Sequence, residues 1–270
     1  MNMKPDQSIA NNSKPTRKRG RPSKDLRLAG ASNAVLTREQ ILDKATLLAK
    51  TEPLDDISMV GLARELHVAP ALIHYYVGTR DDLISGVANR YKKVLLERSH
   101  PLTGDWAADL KQEAKTAFKT NVEYGGVLRY MMSHNRFRLF QQVSEGETDH
   151  GVLYLERLAS IFRSGGFSPQ QAAIACHLYL QFVLTSAYAE VSRQLPRFHQ
   201  DYILSEFAAH PQTALPNARY FLRQFASLDT DTAFPAGLRL LIDGFQNWLP
   251  TKVPIAGRPR KVPISTNRKK

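Results

Sequence analysis

The chain has 270 residues, of which 43% are hydrophobic, so it is long and apolar enough for one or two domains with buried cores. Its single cysteine, Cys176, excludes an intrachain disulfide and lies in an apolar run, where an inert buried thiol is expected rather than a nucleophile. The first thirty residues are polar and basic without the apolar segment of a secretory signal, so we expect a cytoplasmic protein.

The net charge of +12 is concentrated at the two ends of the chain. Residues 1–30 carry +6 and residues 250–270 carry +7, whereas the body between them carries −1. Both tails are polar and basic and are predicted to be disordered in isolation. Two basic arms on a near-neutral body favour a polyanionic partner, although tails that only maintain solubility would give the same pattern.

The body has helical periodicity and almost no strand-like alternation, so it is predicted to be all-α. Thr37 and Gln40 have the spacing of a capping box at the start of a first helix, which ends before Pro53. Ser58 is a favourable N-cap for a short second helix. That helix carries apolar residues at i, i+3, i+4 and i+7: Met59, Leu62, Ala63 and Leu66.

The next segment, APALIHYYVGTRDDL at residues 69–83, contains β-branched and aromatic residues that favour a strand. Pro70 argues against a central strand, because proline lacks the N–H that a strand needs but fits the first turn of a helix. As a helix, the segment has an apolar inner face: Ala69, Ile73, Tyr76 and Val77. The outer face has small side chains and one imidazole, which allow close approach to a partner: Pro70, Ala71 and His74.

Gly78 is expected to end this helix with a positive φ, and Thr79 to cap a fourth helix that runs to about Arg98. Arg80 is a cation at the positive end of that helix dipole, which is locally unfavourable. We interpret it as a contact for an external anion. A surface ion pair with Asp81 or Asp82 is the alternative.

Two short helices joined by a tight turn, the second with an exposed face, form the helix-turn-helix arrangement that places a recognition helix in the DNA major groove. Residues 37–98 resemble the N-terminal domain of tetracycline-repressor (TetR) family regulators. Two segments carry the resemblance: LTREQILDKA, which starts at Leu36, and ISMVGLARELHVAPALIHYYVGTRDDLI. The resemblance implies an N-terminal three-helix helix-turn-helix domain joined by a long helix to a larger helical ligand-binding and dimerisation domain. The implied boundaries are residues 31–98, with the motif at about 58–77, and residues 99–249, between basic tails at 1–30 and 250–270.

The resemblance also assigns DNA contacts to individual residues. It puts Pro70, Ala71 and His74 at base-facing positions, the same residues that the helix-face argument selects. It puts three others near phosphates: Ser58, Tyr75 and Arg80.

Three residues depart from the family pattern. His67 occupies a turn position where glycine is usual, although histidine tolerates a positive φ better than most residues. Val60 stands where some members have a base-reading arginine, and Leu72 replaces a small or hydroxyl residue. Because both changes remove polar contacts, the operator sequence is not transferable from a relative.

The tails could supply affinity for DNA that the head lacks. Residues 37–98 contain nine Lys or Arg and nine Asp or Glu, and so neutral a head would bind phosphates weakly by itself. The sequence RGRP, with Arg19 and Arg21, resembles the core of an AT-hook, whose arginines enter a narrow A·T minor groove. The sequence GRPRK from Gly257 is a weaker copy.

The larger domain contains none of the common catalytic, nucleotide-binding or metal-binding motifs. Residues 105–249 contain no Walker loop, GxGxxG, HExxH, GxSxG or paired-cysteine motif, and their histidines lack metal-like spacing. We therefore expect no enzymatic activity, no cofactor and no metal. Long helices are predicted at about 105–124, 148–164, 168–193 and 232–248.

The helix predicted at 168–193 has Ser168 as its cap and is apolar enough to raise a membrane span as an alternative. Gln181, Glu190 and the absence of another such segment favour a buried helix and no membrane partner. Together with the helix at 232–248, it resembles the two helices that form the four-helix dimer interface of the family. The resemblance therefore implies a homodimer.

Family members bind a small-molecule effector inside this domain. The candidates for the pocket are large amphipathic residues of the predicted helices, although each residue type is more often plain core. They are Trp106, Phe118, Tyr130, His134, His177 and Gln181, with Tyr124 and Arg129 as further candidates.

The sequence thus predicts a sequence-specific DNA-binding regulator of transcription, a repressor released from a palindromic operator in double-stranded DNA by a small-molecule effector. An architectural binder of A·T-rich DNA, driven by the basic tails, is the first alternative. An all-α enzyme or ligand carrier that does not use its small domain is the second. The effector, the operator, the regulated genes, the direction of the effector's action and the place where the tails act stay open.

Overall fold

The computed structural model describes residues 36–134, 142–143 and 145–249. All regular structure in these ranges is helical, with no strand among them, which confirms the predicted all-α fold. The tails lie outside the described residues, and with them Arg19, Arg21 and both AT-hook-like sequences.

The first four helices are α1 (Arg38–Leu48), α2 (Met59–Glu65), α3 (Pro70–Val77) and α4 (Arg80–Arg98). The predicted caps are present, because Thr37 and Gln40 form a capping box at α1 and Thr79 forms one with Asp82 at α4. Residues 70–77 are helical, so the proline in the first turn outweighs the strand propensity of the segment.

Seven helices and one 3-10 turn follow in the described chain. They are α5 (Trp106–Glu123), α6 (Gly125–Ser133), α7 (His150–Ser164), α8 (Pro169–Val191), the 3-10 turn (Pro196–His199), α9 (Gln200–Ala208), α10 (Pro216–Ala226) and α11 (Thr230–Gln246). Periodicity located α5, α7, α8 and α11 within two residues and missed the other three. Of these, α6 begins with two glycines, which read as a helix breaker, and α9 and α10 are short.

Two clusters of buried hydrophobic side chains organise the helices. The first, which we call the head core, joins α1–α4 to α6 and includes Ile41, Leu62, Ile73, Leu83 and Val127. The second, the inner core, joins α5, α7, α8 and α11 and includes Leu110, Leu158, Phe162, Tyr179 and Phe234. Helix α4 contributes Tyr91 to the head core and Leu95 to the inner core, so it is the long helix that links them.

Candidate nucleic-acid interface and inner core

The turn between α2 and α3 fixes the two helices of the motif. Ser58 caps α2 by accepting the backbone N–H of Gly61 at 2.9 Å. His67 has a φ of 54°, the left-handed conformation expected at this position. The Val68 N–H donates to the Ala63 carbonyl at 2.9 Å and closes the turn. A histidine therefore replaces the usual glycine without loss of the turn.

The recognition helix α3 buries one side and exposes the other. Ile73 and Val77 are buried in the head core and Tyr76 is half-buried. The residues predicted to face the bases, Pro70, Ala71 and His74, are all exposed. Ala69 was expected on the inner face but is exposed, because it is the extended N-cap residue and not part of the helix.

A hydrogen bond to the end of α3 orients the His74 ring. Its Nδ1 lies 3.3 Å from the carbonyl oxygen of Gly78, which has a φ of 95° and ends the helix as predicted. Because a carbonyl oxygen only accepts, Nδ1 carries the proton in this arrangement. In the neutral ring, Nε2 is then a hydrogen-bond acceptor on the exposed face of α3.

Tyr75 on α3 and Ser58 at the N-cap of α2 are both exposed. Tyr75 is 72% exposed, and its ring packs edge-on against the half-buried Tyr76 with 5.2 Å between ring centroids. Val60, one of the departures from the family pattern, is also exposed on α2, whereas Leu72 is half-buried against the head core.

Arg80 contacts the loop between α1 and α2, a partner that neither interpretation of the sequence had considered. Its guanidinium donates to the carbonyl oxygens of Asp55 and, at 3.5 Å, of Ile57. The Asp55 carboxylate lies 3.9 Å from the same group, and the Arg80 side chain is 44% exposed. Arg80 therefore ties the start of α4 to this loop while part of its guanidinium faces solvent.

Helix α6 approaches α1 closely enough to require glycine. The Gly126 N–H donates to the carbonyl oxygen of Ala49 at 3.1 Å. A Cβ atom at Gly126 would lie 1.8 Å from the carbonyl oxygen of Glu52, and one at Gly125 would lie 2.9 Å from a methyl carbon of Val191. The first turn of α6 is thus wedged between the end of α1 and the end of α8.

A charged cluster joins three helices beside this wedge. The Glu123 carboxylate at the end of α5 accepts from Arg98 of α4 at 2.6 Å and pairs with Lys50 near the end of α1 at 2.8 Å. These two cations, Arg98 first, lower the pKa of Glu123 to about 2. Glu123 is therefore ionised at neutral pH.

The residues predicted to line an effector pocket occupy three separate places. Trp106 and Phe118 lie at the inner core, where Trp106 packs against Phe167 and Phe118 lies 4.4 Å from Phe234 between ring centroids. Tyr130 and His134 lie at the head core and stack on each other with 4.0 Å between centroids.

The third place is the outer face of α8, where His177 and Gln181 are exposed. Cys176 is half-buried on the same helix, and burial raises the pKa of its thiol to about 11, as an inert thiol requires. Tyr124 lines a surface groove of about 380 Å³ between α1 and α4. Arg129 donates to the Val191 carbonyl at 2.9 Å and so holds α6 to the end of α8.

A group of polar side chains at the inner core was not predicted from the sequence. Lys92 of α4 is buried, and its Nζ lies 5.3 Å from the centroid of Tyr91 and 5.1 Å from that of Tyr154. The Tyr91 hydroxyl donates to Asn121 of α5. Tyr179 of α8 is buried next to Tyr154. Lysine is usually exposed in folded proteins, so the residue type alone does not distinguish the buried Lys92 from its exposed neighbour Lys93.

The outer faces of α8 and α11 are apolar and exposed. Leu240 of α11 is 73% exposed, and Ile174 and Leu178 of α8 are also among the exposed large hydrophobic residues. The segment Pro169–Ala208 is long and apolar enough to span a membrane by composition, a test that core helices of soluble proteins also pass. Its most apolar window is only 22% buried.

A helix-turn-helix with an exposed recognition face, linked through α4 and α6 to a helical core, defines the class of helix-turn-helix transcriptional regulators. A family model described as the tetracyclin repressor-like C-terminal domain matches residues 100–249. No curated protein sequence matches the chain.

Solved structures give similar results. Apo ActR from Streptomyces coelicolor is 26% identical, with a TM-score of 0.65 over 80% of this chain and 97% of that chain. ActR in complex with actinorhodin is 28% identical, with a TM-score of 0.64 over 80% and 99%. A possible TetR family transcriptional regulator from Streptomyces coelicolor A3(2) shares the fold at 19% identity, with a TM-score of 0.62 over 78% and 100%.

Because the family model covers more than half of the chain, the chain belongs to the TetR family of transcriptional regulators. The resemblance inferred from residues 37–98 is confirmed, and the match extends over the larger domain. DNA binding and the regulation of transcription follow from this membership.

Proposed function

We propose that the protein is a homodimeric repressor that leaves a palindromic operator when a small-molecule effector binds near the inner core. The observation that carries the proposal is the exposed outer face of α3 on a helix-turn-helix that α4 and α6 connect to that core. The proposed head is residues 31–98 and the proposed regulatory and dimerisation domain is residues 99–249.

The outer face of α3 would read the bases. Pro70 and Ala71 have short side chains, so the helix backbone can lie deep in the major groove. His74 would present Nε2 as an acceptor, because its Nδ1 proton is held by Gly78. The major-groove donors are the amino groups of adenine and cytosine, so we propose that His74 reads one of these two bases.

Phosphate contacts would come from two sources. Ser58, Tyr75 and part of Arg80 are exposed, and we propose that they bind the backbone beside the groove. The neutral head needs further cations, and we propose that Arg19 and Arg21 enter the minor groove of flanking A·T tracts.

The dimer would form through the outer faces of α8 and α11. Leu178 and Leu240 are exposed on two helices that pack on each other, and contact with a second chain would remove this apolar surface from water. His177 and Gln181 share this face of α8, so we now assign them to the interface and not to the pocket. A dimer would also set two copies of α3 one helical turn of DNA apart, about 34 Å.

The effector would act through the contacts between the two cores. ActR has been solved in complex with actinorhodin and with (S)-DNPA, and we propose that this chain also binds a small molecule in its larger domain. A movement of α8 or α5 would reach the head through the α6 wedge at Gly126 and through Glu123. By linkage, the effector and DNA would then weaken each other's binding.

A selection from random duplex DNA at about 150 mM salt tests this function, because non-specific phosphate contacts are weaker there. The full chain is compared with a variant in which Arg19 and Arg21 are replaced by alanine. We expect both to enrich one palindrome, and the unchanged chain to favour A·T tracts beside it. If only A·T-rich DNA is enriched, and only by the unchanged chain, the protein is an architectural binder whose tails dominate. That alternative is favoured by the charge of the tails against a neutral head.

A further inference from the structure

Lys92 is a buried cation that lacks a polar partner. Its residue is only 5% exposed. Within the described part of the chain its ammonium group has no hydrogen bond or ion pair, and burial is the single cause of the shift of its pKa. The groups beside it are the aromatic rings of Tyr91 and Tyr154, at 5.3 and 5.1 Å from their centroids. Ring faces stabilise a cation, but they do not replace the hydrogen bonds that its three N–H groups lose on burial.

Tyr179, which also neighbours Tyr154, supplies a second group without a well-formed hydrogen bond. It is fully buried, and its hydroxyl oxygen has no hydrogen-bond partner in the described chain. The nearest polar group is the Tyr154 hydroxyl, which points its proton toward the Tyr179 oxygen and so affects both pKa values, but the pair falls short of full hydrogen-bond geometry. The O–H of Tyr179 itself is left without an acceptor among the described residues. A buried hydroxyl without a partner is costly, so this arrangement needs an explanation.

The neighbouring polar groups of the same region are paired, which makes the two exceptions informative. The Tyr91 hydroxyl donates to Asn121. The Glu113 carboxylate, also buried, accepts from Arg157 at 2.7 Å and from Ser99 at 2.9 Å. The two groups left over, an ammonium and a phenolic hydroxyl, are both hydrogen-bond donors. They therefore match a ligand group that carries acceptors and negative charge.

The charge state of Lys92 agrees with this chemistry. Burial lowers the pKa of its ammonium to about 8, so the group is still mostly protonated at neutral pH. An unpaired cation in an apolar region is unfavourable, and such groups occur where a function requires them.

We propose that the effector is an aromatic acid whose anionic group is bound by Lys92 and Tyr179, with its rings against the aromatic side chains of the inner core. This inference rests on the proposed effector-binding function and specifies its ligand class. The ring-lined surroundings favour an aromatic body, because Phe118, Phe182 and Phe234 pack together in the same core.

A pair of fluorescent dyes with one ring skeleton tests the charge requirement. 8-Anilinonaphthalene-1-sulfonate is an anion, and N-phenyl-1-naphthylamine lacks the sulfonate and is neutral. Each dye is titrated into the full-length protein and into Lys92→Met, Tyr179→Phe and Lys93→Met. Lys93 adjoins Lys92 on α4 but is exposed, so Lys93→Met removes the same charge without touching the inner core.

We expect the anionic dye to bind one saturable site per chain and Lys92→Met to weaken it at least ~10-fold, since charge-assisted hydrogen bonds in apolar sites are strong. Tyr179→Phe should weaken it less, about threefold, because a neutral donor is lost. Neither variant should weaken the neutral dye, and Lys93→Met should change neither dye.

Three outcomes would overturn the proposal: no saturable binding of the anionic dye, equal losses for both dyes, or no change in Lys92→Met. In each case Lys92 would be a structural residue only. Operator binding by the same proteins is measured separately by fluorescence anisotropy. A protein that does not bind DNA would contradict the proposed repressor function. A protein that binds DNA but does not prefer the anionic dye over the neutral dye would contradict only the proposed anion site.

Discussion

The head and the inner core differ in the exposure and the hydrogen bonding of their polar side chains. At the head, the groups proposed to contact DNA are exposed and held by local hydrogen bonds, as Ser58 is by Gly61 and His74 by Gly78. At the inner core, Lys92 and Tyr179 are buried without such partners in the described chain. The proposed DNA-reading surface is thus formed by residues close in sequence, whereas the proposed ligand site is formed by helices that are distant in sequence.

The largest effect is expected at the start of α6, where Gly126 packs against the end of α1 beside the head core. Gly126→Ala places a Cβ against the Glu52 carbonyl oxygen and breaks the approach of α6 to α1, so it should lower the free energy of unfolding by roughly 3 kcal/mol. Gly125→Ala is the matched control, because its Cβ comes close only to the Val191 side chain, at 2.9 Å, and reaches the Lys50 carbonyl oxygen at an ordinary contact distance of 3.7 Å; about 1 kcal/mol is expected. Urea unfolding at one protein concentration measures both. Equal stabilities would show that the close approach of α6 to α1 does not require glycine at this position.

The second largest effect is expected at the inner core, where removal of a buried charge should raise the free energy of unfolding. Lys92→Met should stabilise the ligand-free protein by roughly 2–3 kcal/mol at pH 7, because the variant no longer buries an ammonium group. Lys93→Met should leave the unfolding free energy within about 0.5 kcal/mol, as exposed charges usually do. A loss of stability in Lys92→Met would mean that an unseen partner already balances the charge.

The difference in stability between the wild type and Lys92→Met should change with pH in one direction. The pKa of Lys92 is about 8 in the folded chain against 10.5 when unfolded, so the unfolded state binds more protons between these values. The penalty is complete below pH 8, and the wild type should gain stability relative to Lys92→Met as the pH rises from 8 to 10.5. Burial raises the pKa values of the adjacent Tyr91, Tyr154 and Tyr179, so these groups ionise mainly above this window. Urea unfolding at several pH values gives the difference curve, and a flat curve would contradict the burial of a free ammonium.

A smaller effect is expected at Arg80 on the head. Arg80→Ala should weaken binding to all DNA sequences about 3- to 10-fold and lower the salt slope by about 1, because a phosphate contact is lost. The loss of its bonds to Asp55 and Ile57 should cost less than about 1 kcal/mol of stability, since the side chain is half exposed. Anisotropy titrations at several salt concentrations measure the slope. An unchanged slope would limit Arg80 to its role in the loop.

The features that the sequence predicted depend on residues close to one another in the chain. The caps at Thr37, Ser58 and Thr79 and the left-handed turn at His67 depend on residues within four positions of each other, and all are present. The faces of α3 follow from helical periodicity, apart from Ala69, whose place at the helix boundary periodicity does not define.

The features that the sequence missed depend on distant contacts. The glycines at the start of α6 read as a breaker because their partners, Ala49, Glu52 and Val191, lie far away in the chain. Helix α8 is apolar nearly all round, so its sequence did not indicate that His177 and Gln181 would be on the exposed side. The burial of Lys92 rather than Lys93 depends on where α7 packs against α4.

We propose that the outer face of α3 reads bases while the rest of the head only binds the DNA backbone. The most direct measurement is a binding selection from random duplex DNA with the wild type, His74→Ala and Arg80→Ala in parallel. We predict that His74→Ala loses its preference at one position of each half-site, an adenine or cytosine, at a cost of about 1–3 kcal/mol against the wrong base. Arg80→Ala should keep the wild-type sequence preference. If His74→Ala selects the same sequence as the wild type, another surface reads the operator and the assignment of the recognition face is wrong.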